Sequence, residues 1–152
     1  MGTGNIQGWR NKMADVFTAK KRSKIMVAIK GRGTKSTEMA IRRLLRVHHI
    51  SGWRSHLPGL PGTPDFVFPA HRLSLFIDGC FWHGCTKCSR NLTPSTNAAF
   101  WIQKITANRR RDRQINRRLR NLGWKVIRIW EHDVKNDPES HIFRIWSAIR
   151  CF

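Results

Sequence analysis

The chain has 152 residues, 40% of them hydrophobic, with 29 Lys and Arg against 9 Asp and Glu, a formal charge of +20. That length suits one domain with a buried core, and seven Trp and eight Phe set it apart from the aromatic-poor basic proteins of ribosomes and chromatin. So large a charge points to a polyanionic partner, nucleic acid before a membrane surface. No apolar run is long enough to span a bilayer, and MGTGNIQGWRNK lacks the apolar core of a signal peptide, so a cytoplasmic protein with reduced cysteines is expected.

In chain order, residues 1–17 show no periodicity and are expected to form a flexible basic arm, leaving 18–152 as a single domain; Met13 reads as an internal start. RSKIMVAIK predicts a short helix, broken by the basic hinge GRG at 31–33, which lacks the Gly-Lys-Ser/Thr of a phosphate loop. KSTEMAIRRLLRVHHI predicts an amphipathic helix with Ser36 or Thr37 as its N-cap. The Pro/Gly-rich HLPGLPGTP, 56–64, is a loop. DFVF and LSLFID predict paired strands with a turn at Pro69 to Arg72. After the cysteine loop GCFWHGCTKCSR comes a long helix from about Thr96 to Leu122, closed by Gly123. WKVIRIW is a further strand, and PESHIFRIWSAIR a last helix with Pro138 in its first turn. The order indicates an α/β sandwich, a central mixed sheet flanked by helices.

Several carboxylates stand where a basic protein should not place them. Asp65 opens the DFVF strand and Asp78 closes LSLFID, so a hairpin brings them to the same end of the sheet. Asp112 falls inside the apolar stripe Ile105, Ile115, Leu119, Leu122, and Glu38 shares a face with Ile41 and Leu45. A carboxylate on a core-facing stripe loses hydration and needs a cation or donors. For Asp112 or Glu38 alone an arginine partner suffices, and Arg109, Arg110, Arg111 and Arg113 are at hand. Together, the set is better explained by a divalent-metal site acting on a phosphodiester, because Mg²⁺ takes hard oxygen ligands.

Cys80, Cys85 and Cys88 are close enough to hold one structural Zn²⁺, with His83, His132 or Cys151 as the fourth ligand. CTKC could instead be a redox pair, although it sits inside a longer cysteine loop rather than opening a helix after a strand. Arg109 to Arg120 holds seven arginines; either a solvated face or, for so one-sided a charge, a track along a phosphate backbone. Phe81 and Trp82 are either core or apolar wedges between base pairs.

RSKIMVAIKGRGTKSTEMAIRRLL, LPGTPDFVF, LFIDGCFWHGC and FWIQKITANRRRDRQINRRLRNLGWKVIRIWEH together resemble the very-short-patch repair (Vsr) DNA mismatch endonucleases, from Met13 to the final helix. The resemblance implies a fold related to the type II restriction endonucleases (PD-(D/E)XK-related) with a structural zinc site. It implies a Mg²⁺-dependent nick beside the T of a T:G mismatch in double-stranded DNA. By position, Asp65 is the Mg²⁺ ligand, His83 the catalytic histidine, and Glu38 and Asp112 organise metal-bound waters. The zinc set becomes Cys80, Cys85, Cys88 and His132, with Lys87 a one-residue alternative to Cys88. Phe81 and Trp82 become the wedge, and Met26 assists from the other groove; the backbone affinity of Arg109, Arg110 and Arg113 is expected from the charge of their helix instead. Ile77 supplies the strand-end carbonyl beside the metal, which leaves Asp78 as a further candidate. A bacterial monomer without a membrane partner is expected, working with other mismatch-repair proteins. The rivals are a related restriction or homing-type nuclease and a catalytically inactive zinc-stabilised DNA-binding module.

Overall fold

A computed structural model describes residues 35–88 and 97–150, all within one compact unit, Gly33–Phe152. The arm, the 23–30 helix, the 31–33 hinge, Met13, Met26 and Cys151 lie outside the described residues. Helix α1 occupies residues 35–47. Ser36 and Thr37, expected as caps, lie inside its turns instead, and Thr37 is buried.

Among the described residues, four strands follow α1 into one sheet: β1 (Arg54–Ser55), β2 (Phe66–Phe68), β3 (Leu73–Asp78) and β4 (Lys125–Trp130), in spatial order β1-β2-β3-β4. The first three are antiparallel neighbours, whereas β4 lies parallel to β3. A parallel neighbour needs a crossover, and the 24-residue helix α2 (Ala98–Asn121) supplies it. The β2–β3 turn is the 3-10 segment Pro69–His71, closed by Arg72 in the left-handed region. Every residue of β3 is buried, as expected of a central strand covered on both faces. In β4 the buried Ile127 and Ile129 alternate with half-buried Val126, Arg128 and Trp130.

The core gathers Phe66, Phe68, Leu73, Leu75, Ile77, Ile127 and Ile129 from the sheet with Ile41 and Leu45 of α1. Short helix α3 (Glu131–Asn136) adds Val134, and α4 (Pro138–Arg150) adds Ile142 and Ile145. Each such side chain, fully removed from water, contributes about 1.5–3 kcal/mol. Leu122, expected on the α2 stripe, is 55% exposed: the helix ends one residue earlier, at Asn121. The chain turns away there, with Gly123 at φ 78° and Trp124 N–H donating to the Leu119 carbonyl. Neither β1 nor α3 was expected from the sequence pattern. No described helix is long and apolar enough to cross a membrane.

Candidate active site

Helix α2 is the frame of the site. Its residues Trp101, Ile105, Asn108, Asp112, Ile115 and Leu119 recur every three or four positions, the spacing of one helical face. Two glycines let loops lie directly on that face. A Cβ on Gly84, at φ 65°, would stand 2.7 Å from Ile105, and one on Gly62, at φ 77°, 2.6 Å from Ile115. Both conformations strain any residue with a Cβ, and both distances would force the isoleucine to shift. The cysteine loop is tightened further by His83 N–H to the Gly79 carbonyl and Cys85 N–H to the Cys80 carbonyl. Asn108 Nδ2 donates to the Trp82 carbonyl at 2.9 Å.

This seating places His83 Nδ1 2.6 Å from Asp112 Oδ2. Burial raises the Asp112 carboxyl, but the His83 hydrogen bond and the charges of His83, Arg128 and Arg111 outweigh it and hold the group below its ordinary value. An ionised carboxylate only accepts, so Nδ1 carries the proton of this bond, and Nε2 is the nitrogen that holds the lone pair whenever the ring is neutral. The arginine that holds Asp112 comes from β4, not from its neighbours on α2: Arg128 Nη2 is 3.0 Å from Asp112 Oδ1.

Asp65 and Asp78 do reach the same end of the sheet. Asp65 Oδ2 accepts the Ile77 N–H at 2.6 Å. Burial pushes its carboxyl up to about 6, against the pull of that hydrogen bond, and the charges of Glu38 and Asp78 add to the rise while His56 opposes it. Glu38 Oε2 lies 3.4 Å from His56 Nε2. Desolvated and beside two other carboxylates, Asp65 sits where a cation would be favoured. Asp78 is bound on both oxygens by Arg128, at 2.6 and 2.7 Å, and stands 3.8 Å from His83 Nδ1. It is therefore the acid end of an ion pair.

On the far side of the loop, one ligand atom each from Cys80, Cys88 and His132 lie within 4.8 Å of one another. Cys80 Sγ and Cys85 Sγ are 3.2 and 3.5 Å from His132 Nδ1, although Cys85 stays outside the mutual group. Cys88, rather than Lys87, reaches the cluster. Cys80, Cys85 and Cys88 form no disulfide. Burial pushes the Cys80 thiol up to about 12, against a hydrogen bond from the His132 backbone, and Cys88 and Cys85 add to the rise. A crowded thiol that resists ionisation as Cys80 does is what a soft divalent cation would relieve, and the separations fit ligands at about 2.0–2.3 Å from a shared metal. His132 Nε2 meets Asp133 Oδ1 at 2.9 Å, which turns Nδ1 toward the sulfurs.

Phe81 and Trp82 are half-buried, packed edge-to-face with each other and with Trp101 at 5.2 to 5.9 Å. Phe100, 55% exposed, extends the cluster, and Lys104 Nζ sits 5.5 Å from the Trp82, Phe100 and Trp101 rings. Trp101 and Lys104 were missed from the sequence, as was Arg128. The three-to-four spacing of Trp101 with Ile105 and Asp112 was the available signal for the first. Arg109, Arg110 and Arg113 are exposed on α2.

The family described as DNA mismatch endonuclease Vsr matches residues 14–90, half of the chain, and takes in Glu38, Asp65, His83 and the three cysteines. DNA mismatch endonuclease Vsr of Escherichia coli is 41% identical over 119 residues, covering 78% of this chain and 74% of that protein. The chain belongs to the Vsr family. Within it, Type II nicking enzyme V.XorIIP of Xanthomonas oryzae is 38% identical over 126 residues, covering 82% of this chain and 89% of that enzyme. Type II nicking enzyme V.NmeAIP of Neisseria meningitidis is 37% identical over 124 residues, covering 82% and 86%. This Vsr-family protein is accordingly a DNA endonuclease of the nicking kind. Asp112, Arg128 and His132 lie beyond the 14–90 match, so their part in the site comes from the fold.

Proposed function

We propose that this chain nicks double-stranded DNA beside the T of a T:G mismatch, in a Mg²⁺-dependent reaction of very-short-patch repair. The observation that carries the reading is the juxtaposition of a carboxylate-held histidine, His83 on Asp112 at 2.6 Å, with the desolvated Asp65 at the same sheet end. A four-stranded mixed sheet between helices agrees with a core of the restriction-endonuclease type.

His83 Nε2 takes a proton from the attacking water, which is the role of a histidine whose other nitrogen is fixed by a carboxylate. Asp112 orients the ring and stabilises the imidazolium that forms. The water oxygen bonds to phosphorus as the P–O bond on the opposite side breaks, and the departing oxygen gains a proton from solvent. Asp65 would hold Mg²⁺, with Glu38 organising its waters. When bound there, the ion supplies charge neutralisation at the phosphate and the leaving oxygen. Cys80, Cys85, Cys88 and His132 would hold Zn²⁺, which ties the loop to the start of α3. Phe81 and Trp82, backed by Trp101, enter the base stack; a mismatched step is the cheaper one to open, at about a few kcal/mol for a paired step. The exposed Arg109, Arg110 and Arg113 supply salt-sensitive backbone affinity.

The test is nicking of end-labelled T:A and T:G duplexes with Mg²⁺ by wild type and Asp65→Ala. Nicking of T:G alone, lost in the variant while DNA binding is kept, is expected. Equal cutting of both duplexes would make the chain a nuclease for paired sites and overturn the mismatch reading.

A further inference from the structure

We propose that Arg128 is a positioning residue for the reaction, fixing Asp112 so that His83 presents Nε2 to the attacking water; this rests on the reading of His83 as the base. The guanidinium uses every edge. Nε and one Nη take both oxygens of Asp78, at 2.6 and 2.7 Å; the same Nη reaches Asp112 Oδ1 at 3.0 Å; the other donates to Asn116 Oδ1 at 3.1 Å. Its plane is carried 4.6 Å from the Phe76 ring, the residue directly opposite it across β3 and β4. Three elements thus meet at one side chain: Asp78 from the end of β3, Asp112 and Asn116 one turn apart on α2, and β4 itself.

The consequence lies in how the two Asp112 oxygens are divided. Oδ1 is anchored to Arg128 and Oδ2 faces His83 Nδ1. With Oδ1 held, the carboxylate cannot rotate, and the direction of Oδ2 sets the plane of the imidazole. A lone carboxylate on a helix would swing about its own side-chain bonds and carry the ring with it. Arg128 also neutralises Asp78, which is 5% exposed and whose charge would otherwise stand uncompensated beside His83. A lysine cannot copy this arrangement, because a point charge lacks the fork that reaches two carboxylates and an amide at once.

The experiment compares Arg128→Met, Arg128→Lys and the double variant Asp78→Asn/Arg128→Met with wild type on a T:G duplex. Melting, zinc content and duplex Kd are recorded for each, together with the ¹⁵N-correlated resonance of the His83 Nδ1 proton. Arg128→Met is expected to lower kcat about 10–100-fold, as supporting residues behind a reactive group do, with little change in KM. Arg128→Lys should recover only part of that loss. The double variant removes the unpaired buried charge, so it should recover melting but neither kcat nor the sharp Nδ1 proton signal. If it recovers kcat fully, Arg128 serves only to neutralise Asp78 and the proposal is overturned; so it is if the Nδ1 signal survives in Arg128→Met. Should His83→Gln nick at the wild-type rate, the base reading itself fails, whereas normal His83 dependence with normal Arg128→Met activity sinks the positioning role alone.

Discussion

Asp65→Asn should change how stability depends on pH, and the size of the change follows from the site. Asp65 titrates at about 6 in the folded chain against 3.8 ordinarily. A carboxyl with a raised folded value binds its proton more tightly when folded, so its contribution to stability is complete below about pH 3.8 and is lost as pH rises through about 6. At about 1.4 kcal/mol for each pH unit separating the two values, the full loss is about 3 kcal/mol. About 1.4 kcal/mol of it falls between about pH 5 and pH 7.5. Asp65 keeps some exposure to solvent, and screening makes these upper figures. Asparagine retains an oxygen for the Ile77 N–H and has nothing to titrate, so its stability should lack this fall. Urea unfolding in Mg²⁺-free buffer across that range measures the difference directly. Mg²⁺ at about ten times its Kd should then return about 1.4 kcal/mol to wild type at pH 7.5 and nothing to Asp65→Asn. Parallel pH profiles for the two proteins would show that Asp65 is not desolvated, and a cation would then have no special reason to settle there.

Three further outcomes are expected. Gly84→Ala forces a Cβ to within 2.7 Å of Ile105 at a positive φ, so it should cost about 1–3 kcal/mol in denaturant unfolding and reduce nicking as His83 leaves Asp112; an unchanged midpoint would show that the loop is not seated on α2. Asp133→Ala frees His132 Nε2 and should weaken zinc about 10–100-fold in chelator competition, with full retention counting against His132 as a ligand. Replacing Arg109, Arg110 and Arg113 together by alanine should flatten the dependence of log K on log salt by about 0.9 for each phosphate left without its arginine; an unaltered slope would make that face merely solvated.

The elements that could be read from the sequence are those long enough to display a period or bounded by strong turn residues. The runs at 66–68, 73–78 and 125–130 became strands, and Gly123 closes the long helix where expected. Arg54–Ser55 escaped notice because two residues carry no alternation, and Glu131–Asn136 because one polar turn carries no stripe. Leu122 looked like core by spacing alone, yet spacing does not reveal where the chain leaves the helix axis. Asp112 stood out as a charge within a stripe. Its partner did not, because Arg128 occupies an ordinary half-buried strand position and meets Asp112 only when β4 lies parallel to β3 beneath α2.

By itself, then, the sequence determined the residue types and their local setting: a basic chain, three cysteines on one loop with Phe81, Trp82 and His83, and carboxylates where hydration is lost. The tertiary structure decided their partnerships. Parallel pairing of β3 with β4 joins Asp78 to Arg128 and brings His132 to Cys80, 52 residues away. The glycine contacts on α2 bring His83 to Asp112, 29 residues on. These distances arise only when the sheet and the crossover helix close around a common core, because side-chain chemistry acts over a few ångströms and the chain reaches that range by folding.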